Sequence, residues 1–141
     1  MNHGHYNHYI VMFFIMILSG LLSTMNVWAD KWSDVRLSIN DAYMTLLMTG
    51  WMFLFMGLYY SEQVIVLIGA VLVAVNLWCI RTQFLVTNEQ YVKGMIPHHS
   101  MAILMSKRLL ENQPPVMSSF VKNIVKTQEK EIQFLKRIES A

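Results

Sequence analysis

The stretch Lys93–Met105, "KGMIPHHSMAILM", places two adjacent histidines after a proline, with a methionine on either side. At about 100° per residue, a helix through this stretch gathers Met95, His98, His99 and Met105 toward one face. One interpretation is a helix with ordinary surface or core histidines. The other is a metal site, and the remainder of the chain bears on the choice between the two.

The composition is that of a membrane protein. Of the 141 residues, 55% are hydrophobic and only 14% are charged, whereas soluble domains carry about a quarter charged residues. The net charge of +2 is too small to indicate nucleic-acid binding. The single cysteine, Cys79, cannot form an internal disulfide.

Three uncharged apolar runs are long enough to cross a bilayer, which takes roughly 20 residues. They are Tyr9–Trp28, about Ala42–Tyr60 and about Val64–Ile80. Only a short polar link separates the last two runs, so they are predicted to form an antiparallel pair. A cleavable signal peptide is the alternative for the first run. That alternative is disfavoured because no Lys or Arg precedes the run, and because the run is longer than the usual apolar core of about 7–15 residues.

The distribution of basic residues predicts the topology. Lys31 and Arg36 lie between the first two spans, and all other Lys and Arg follow from Arg81 onward. With three spans, both segments lie on one side, which the positive-inside rule makes cytoplasmic. We therefore expect an integral protein of a bacterial inner membrane, with its N-terminus outside and its C-terminal segment in the cytoplasm.

The segment after the third span predicts two helices. Thr87 and Gln90 fit a capping box, which starts a helix over Asn88–Asn112. The prolines of "NQPP" end it, and a second helix runs over about Val116–Glu139. The predicted fold is all-α: a His-containing tail (1–8), a three-helix transmembrane anchor (9–82) and a C-terminal helical hairpin (83–141). One amphipathic hairpin cannot enclose a core, so we expect a homodimer or a larger even homo-oligomer.

The second helix supplies a counterpart to the histidines. Gln128 and Glu131 interrupt its apolar stripe, and burying an unpaired carboxylate is costly. A metal ion bound by His98, His99 and Glu131 would satisfy that carboxylate, with Gln128 orienting a ligand. The flanking thioethers of Met95 and Met105 favour copper, and the histidines also permit zinc. A polar contact without metal is the open alternative.

The two stretches "MIPHHSMAILMS" and "IVKTQEKEIQFL" resemble domain-of-unknown-function family 305, whose patterns are M-I-P-H-H-x-x-A-I-x-M-A and I-x-x-x-Q-x-x-E-I-x-x-M. The chain departs from them at Ser106, where alanine is usual, and at Leu135, where methionine is usual. The resemblance covers about Thr87–Glu139. It implies half of a ferritin-like four-helix bundle, and some members of the family are linked to copper handling. The matching positions are Met95, Ile96, Pro97, His98, His99, Ala102, Ile103 and Met105, and then Ile124, Gln128, Glu131 and Ile132.

Two other groups of residues could handle metal. The N-terminal tail holds His3, His5 and His8, which could capture copper or zinc. The second span carries a methionine at every fourth position, which loosely resembles copper-uptake channels of three spans. A polar tail and ordinary packing methionines are the default interpretations of these groups. The methionines are Met44, Met48, Met52 and Met56.

No nucleophile–base constellation, phosphate loop or dinucleotide fingerprint is present, so the sequence predicts no enzyme and no catalytic residue. The favoured function is a membrane-anchored transition-metal protein, with copper first and zinc second, that acts in binding, sensing or delivery. The alternative is a non-enzymatic interaction module whose hairpin docks a partner, or itself, without metal. A copper-conducting channel ranks third.

Overall fold

The computed structural model describes residues 3–112 and 117–141, with side chains from Asn7 onward. The described residues form helices and no strand, which confirms the all-α prediction. Five α-helices follow in order, and two short 3₁₀ helices, Met25–Trp28 and Trp32–Asp34, lie between the first two. The α-helices are α1 His3–Leu22, α2 Ile39–Tyr59, α3 Gln63–Thr82, α4 Asn88–Asn112 and α5 Ser118–Glu139.

The bounds of α2, α3 and α4 follow the predicted ones closely, whereas α1 begins and ends earlier than the predicted run Tyr9–Trp28. Helix α4 has the predicted bounds, and α5 begins at Ser118; the predicted start at Val116 lies outside the described residues. Helix α1 begins at His3, so the backbone of the segment predicted as a tail already belongs to the first helix. The apolar run therefore does not mark where that helix starts, because a helix already formed extends through neighbouring polar residues.

The chain divides into two compact units. The first comprises the residues up to Thr24 together with Asn40–Leu85, and so contains α1, α2 and α3. The second comprises Met25–Ile39 and Val86–Ala141, and so contains α4, α5 and the segment between α1 and α2. That segment, Met25–Ile39, is called the connecting loop below.

The first unit contains the apolar helices. Three segments, Asn7–Trp28, Ile39–Tyr59 and Gln63–Thr82, are long and apolar enough to cross a membrane by length and composition. Tyr9 and Phe53 pack edge to face within a small buried cluster, an arrangement that aromatic rings prefer. Large apolar side chains elsewhere on these helices are exposed in the single chain, as lipid-facing side chains would be.

Glycines set the close approach of α2 to α3. A Cβ atom on Gly69 would lie 2.4 Å from the backbone nitrogen of Leu54, and one on Gly57 would lie 2.6 Å from the backbone nitrogen of Val66. Neither backbone atom can move without displacing its helix. Small residues are what allow helices to pack this closely in apolar surroundings.

The second unit is built on the α4–α5 pair. Val92, Ile96 and Ile103 of α4 pack with Ile132 and Leu135 of α5 in a buried apolar cluster. The first turns of α4 and the last turns of α5 line the same hollow, so the two helices run antiparallel.

The connecting loop folds onto this helix pair, and here the arrangement differs from the predicted one, which counted the loop as part of the anchor. Three ion pairs hold it: Asp30–Lys107, Asp34–Lys136 and Arg36–Glu139, with nitrogen–oxygen distances of 2.8, 2.5 and 2.9 Å. The physical reason is the charge of the loop. Its acidic and basic side chains find opposite charges on α4 and α5, which an apolar anchor could not offer.

The start of α4 forms only half of the predicted capping box. Thr87 Oγ1 accepts a hydrogen bond from the backbone N–H of Gln90 at 3.3 Å. The side chain of Gln90 does not reach back to its own helix; its Oε1 accepts the N–H of Ile39 at 2.7 Å. Gln90 therefore ties the end of the connecting loop to α4.

Candidate functional site

Two of the predicted metal ligands meet where α4 packs on α5. His99 is 8% exposed, and its Nδ1 lies 2.9 Å from Oε2 of Glu131. The buried neighbours of His99, Pro97 and Ser100, hold this part of α4 in the interior of the unit. Helix α4 continues through Pro97, so the proline does not interrupt the segment that carries the histidines.

The contact between His99 and Glu131 is a close nitrogen–oxygen pair whose geometry is poor for a hydrogen bond. Although Oε2 is within reach, it lies outside the direction in which the ring N–H would donate, and Nδ1 is a buried nitrogen without a hydrogen-bond partner among the described residues. Buried polar atoms are almost always partnered, so such an atom calls for an explanation. One explanation is a cation bound between Nδ1 of His99 and the carboxylate of Glu131.

The environment favours neutral imidazole at His99. Burial lowers the pKa of His99 below its ordinary value, the carboxylate of Glu131 partly opposes this effect, and the neighbouring ring of His98 adds to it. Neutral imidazole is the form that binds metals. The side chain of Glu131 is 45% exposed, so its carboxylate can be reached from outside the helix pair.

His98 lies beside this contact without joining it. Its ring centroid is 5.9 Å from that of His99, and the two rings are tilted by 66°. The His98 side chain is exposed. Because adjacent helical residues diverge by about 100°, the buried ring and the exposed ring leave α4 in different directions.

The two predicted sulfur ligands lie in different surroundings. Met95 is half-buried and packs against the apolar cluster of the helix pair. Met105 is 54% exposed and lines a hollow of about 630 Å³ with Trp28 and Leu109. Gln128, predicted to orient a ligand, is half-buried on α5.

Of the five predicted metal ligands, a single copy of the chain brings only His99 and Glu131 together. In residues 3–112 and 117–141, no three His, Cys, Asp or Glu side chains converge as a metal-binding group. His99 and Glu131 form a half-site of one nitrogen and one oxygen. Bound transition metals usually require three or four ligands, so further ligands would have to come from His98 after a side-chain rotation, from water or from another chain.

The structure also shows a polar cluster that the sequence did not reveal. Ser100 Oγ donates to Asp34 Oδ2 at 2.7 Å and accepts the backbone N–H of Asp30 at 2.9 Å. Lys136 pairs with the other oxygen of Asp34. The signal available in the sequence was the pair of aspartates in a short loop between two apolar spans, but their partners lie at least 66 residues away.

A hollow of about 250 Å³ lies next to this cluster. Asp30, Lys31, Asp34, Glu129 and Lys136 contribute charged side chains to its lining. Both signs of charge are present, and Asp34 and Lys136 already neutralise each other. The charged side chains that line this cavity therefore serve the ion pairs that attach the loop to the helix pair.

The other candidate metal residues are not gathered at one place. Met44 and Met48 are 51% and 44% exposed, whereas Met52 packs against the cluster of Tyr9 and Phe53. Met56, the last methionine of this series on α2, is half-buried. The four methionines therefore do not share one environment, because two are exposed and two are partly buried. In the N-terminal segment His8 is exposed, and the side chains of His3 and His5 lie outside the described ones.

Comparison with known proteins identifies relatives without an established activity. Residues 81–139 match the model of a domain of unknown function, DUF305. The chain is 37% identical over 132 residues to an uncharacterized protein, L153, of Acanthamoeba polyphaga mimivirus, and the match covers 87% of this chain and 85% of that protein. No solved structure matches the chain. The chain therefore belongs to one family with the mimivirus protein, and its C-terminal segment is similar to the DUF305 domain.

Proposed function

We propose that the protein is a membrane-anchored transition-metal-binding protein that acts in binding, sensing or delivery of the ion. The observation that carries this proposal is the buried, unpartnered Nδ1 of His99 at 2.9 Å from Glu131 Oε2. Metal bonds to imidazole nitrogen and carboxylate oxygen are about 2.0–2.2 Å long. Two donor atoms about 3 Å apart therefore fit one ion with only a small movement of either side chain.

The proposed location is a membrane in which α1, α2 and α3 are the spanning helices. The connecting loop and the C-terminal segment belong to one compact unit, and this supports a topology that leaves both on one side. Lys31 and Arg36 in the loop, with the many basic residues of α5, favour the cytoplasmic side. The N-terminus is then outside.

Copper is the first candidate ion and zinc the second. His98, His99 and Glu131 provide nitrogen and oxygen donors that suit zinc and copper(II). Met95 and Met105 would add the soft sulfur that copper(I) prefers. The family resemblance also favours copper, since some members are linked to its handling. In this proposal His99 and Glu131 hold the ion, and Gln128 orients one of the two by a hydrogen bond.

Metal content of the detergent-purified, full-length protein tests the proposal. We expect copper or zinc near one equivalent per chain or per dimer, and loss of most of it in His99→Gln and in Glu131→Gln, which keep the size of each side chain. Asn123→Ala, on the exposed side of α5, is the matched control and should retain the ion. A wild-type protein that stays metal-free after titration with both ions, with normal helicity, would overturn the proposal.

The methionines distinguish copper(I) from zinc and copper(II). If copper(I) is bound, Met95→Leu with Met105→Leu should weaken binding while the fold is kept, because the volume of each side chain is nearly unchanged. If zinc or copper(II) is bound, the same pair of changes should leave the affinity as it is, and Glu131→Gln should have the larger effect.

A second candidate function follows from the exposed apolar side chains of the second unit. Phe120, Phe134 and Ile138 of α5 are 59%, 58% and 48% exposed. Such side chains favour an interaction module, in which the helix pair docks a partner and His99 and Glu131 fix the register without metal. A partner that is bound by the metal-free wild type and bound more weakly by His99→Gln would favour this function.

A further inference from the structure

The last turns of α4 and the first part of the connecting loop enclose a largely apolar hollow. Its volume is about 630 Å³, which is within the range of cavities that bind small organic molecules. Met105 and Leu109 in its lining are 54% and 44% exposed, so the hollow is open to the outside. We name it the Trp28 hollow, and its lining consists of Trp28, Leu104, Met105, Arg108, Leu109 and Asn112.

The position of Trp28 in the chain relates this hollow to the membrane. Trp28 is the last residue of Asn7–Trp28, the first segment that is long and apolar enough to cross a membrane. Tryptophan is enriched at the level of the lipid headgroups, where its ring contacts both hydrocarbon and water. In the membrane location proposed above, the hollow therefore opens where the first span leaves the lipid.

The connecting loop also lies along α4 between two such points. At one end of the loop, Trp28 lies beside the last turns of α4. At the other end, the backbone N–H of Ile39, which begins the next candidate span, donates to Oε1 of Gln90 in the first turn of α4 at 2.7 Å. Asp30 pairs with Lys107 between these ends. Both ends of the contact between the loop and α4 are thus ends of segments that could cross the membrane.

The same loop exposes other side chains that are typical of a membrane surface. Trp32 is 93% exposed and Val27 is 67% exposed, so the described residues cover little of either side chain. Lys31, next to Trp32, is also exposed. Exposed tryptophan beside exposed lysine is typical of a segment that meets anionic headgroups, because the ring enters the interface and the ammonium attracts phosphate.

Arg108 supplies a positive charge at the rim of the hollow. A guanidinium has five N–H donors, and Nη1 of Arg108 donates to Oε2 of Glu111 at 2.8 Å. The side chains of this pair are 68% and 59% exposed, and exposed ion pairs contribute little to stability. A phosphate group, which a guanidinium binds through two parallel hydrogen bonds, can therefore take the place of Glu111.

We propose that the Trp28 hollow binds an anionic phospholipid of the surrounding membrane. An acyl chain of the lipid packs against Met105 and Leu109, and the lipid phosphate binds the guanidinium of Arg108. A ligand with a hydrocarbon chain and a negative headgroup matches both parts of the lining, whereas a free phosphate would leave the apolar part uncovered. The inference rests on the proposed membrane location and not on the proposed metal ion.

Quenching of tryptophan fluorescence by brominated acyl chains tests the inference in the full-length protein. The background replaces the four native tryptophans by phenylalanine, and Leu109→Trp then places the only tryptophan in the hollow. In phosphatidylcholine vesicles with a minor fraction of brominated phosphatidylglycerol, we expect Leu109→Trp to be quenched. Phe134→Trp, at an exposed position on α5, is the control and should keep its emission. The native tryptophans are Trp28, Trp32, Trp51 and Trp78.

Equal quenching at the two positions, with normal helicity, would overturn the inference, because the second unit would then meet lipid without using this hollow. An unquenched Leu109→Trp would also overturn it. That second result is expected if a protein partner or a second copy of the chain covers the hollow instead of lipid.

The headgroup contact is tested with all native tryptophans in place. Phosphatidylglycerol and phosphatidylcholine are titrated separately into the detergent-purified protein, and lipid binding is followed by native mass spectrometry. Arg108→Gln should bind phosphatidylglycerol about fivefold more weakly, the effect of one basic side chain at an anionic surface, and phosphatidylcholine as the wild type does. Arg137→Gln, an exposed arginine of α5 outside the hollow, is the matched control and should bind both lipids normally. Unchanged binding of phosphatidylglycerol by Arg108→Gln would overturn the inference.

Trp51 separates this inference from the proposed membrane location. It is 42% exposed on α2, within the candidate span Ile39–Tyr59. A variant that retains only Trp51 should be quenched in the same vesicles. Quenching at Trp51 without quenching at Leu109→Trp would overturn the lipid site while leaving the proposed location standing, and no quenching at either position would overturn both.

Discussion

At the scale of single residues, Asp34 shows how the connecting loop is attached. It is 3% exposed although it is charged, and it accepts hydrogen bonds from Ser100 and Lys136. A buried charge is tolerated only when it is paired and hydrogen-bonded. Since Ser100 follows His99 in the chain, Asp34 fixes α4 one residue from the candidate metal ligand.

Replacing Asp34 should loosen this attachment. Asp34→Ala removes the acceptor of the Ser100 hydroxyl and the charged acceptor of the Lys136 ammonium, which retains Ser33 Oγ at 3.3 Å. Hydrogen bonds to charged groups are worth about 1.5–3 kcal/mol. We expect the backbone amides of α5 to exchange with solvent at least about tenfold faster. Asn123→Ala is the control. Unchanged exchange in Asp34→Ala would show that the loop does not stabilise the helix pair.

Acid should weaken the same contact. Burial alone would raise the pKa of Asp34, but hydrogen bonds from Lys136 and Ser100 and the charge of Lys136 outweigh it, so the pKa of Asp34 is lowered. A lowered carboxyl pKa gives stability that is full above the unfolded value of about 3.9 and is lost as the pH falls through the folded value. The thermal midpoint, followed by circular dichroism, should fall below about pH 4, and less so in Asp34→Asn. An equal fall in both proteins would contradict this assignment.

At the scale of helices, the two units use different means of packing. Helices α4 and α5 meet through a cluster of large apolar side chains, whereas α2 and α3 approach closely at Gly50, Gly57 and Gly69. The first means relies on apolar area removed from water. The second relies on short distances between backbones, which is the effective means among apolar helices where water gives no such driving force.

The same substitution should therefore have opposite effects in the two units. Gly69→Ala gains about 0.8–1.0 kcal/mol of helix propensity, but its Cβ would lie 2.4 Å from a backbone atom of α2, and overpacking typically costs about 1–3 kcal/mol. We expect a lower resistance of the protein to unfolding by sodium dodecyl sulfate. Gly94→Ala in α4 is the control, because its Cβ would meet only ordinary contacts at 3.5 Å. Equal stability of the two variants would contradict the close approach of α2 and α3.

At the scale of the whole molecule, the chain order of the two units constrains the topology. The second unit takes one segment from between α1 and α2 and another from after α3. If α2 and α3 each cross the membrane as proposed, these two segments lie on the same side of it. A short connection around Ser61, which adopts a positive φ of 56°, allows α3 to follow α2 directly.

Cysteine labelling tests this topology. In a Cys79→Ala background, Ser140→Cys and Ser33→Cys should both be protected from an impermeant maleimide in intact cells, because both lie in the unit assigned to the cytoplasm. Asn7→Cys, before the first span, should react. Labelling of Ser140→Cys in intact cells would reverse the orientation, and different labelling at Ser33 and Ser140 would contradict the shared side.

The sequence by itself determined the helices and the candidate ligands. Apolar runs of bilayer length specify α2, α3 and the central part of α1, and Thr87 and the prolines after Asn112 specify the ends of α4, because these signals are local. The helical period also placed His99 and Glu131 on facing stripes, and the structure brings the two together at 2.9 Å. The metal ion that the sequence assigns to His99 and Glu131 stays a prediction.

Only the tertiary structure decided which charges meet and which histidine is buried. The ion-pair partners of Asp30, Asp34 and Arg36 lie 77 to 103 residues away in the chain, and no local pattern encodes such a distance. The helical period also could not tell which of His98 and His99 is buried, since both lie near the same face of α4. The packing of α5 and the connecting loop on α4 buries the ring of His99 and leaves that of His98 exposed, because burial depends on the position of neighbouring elements.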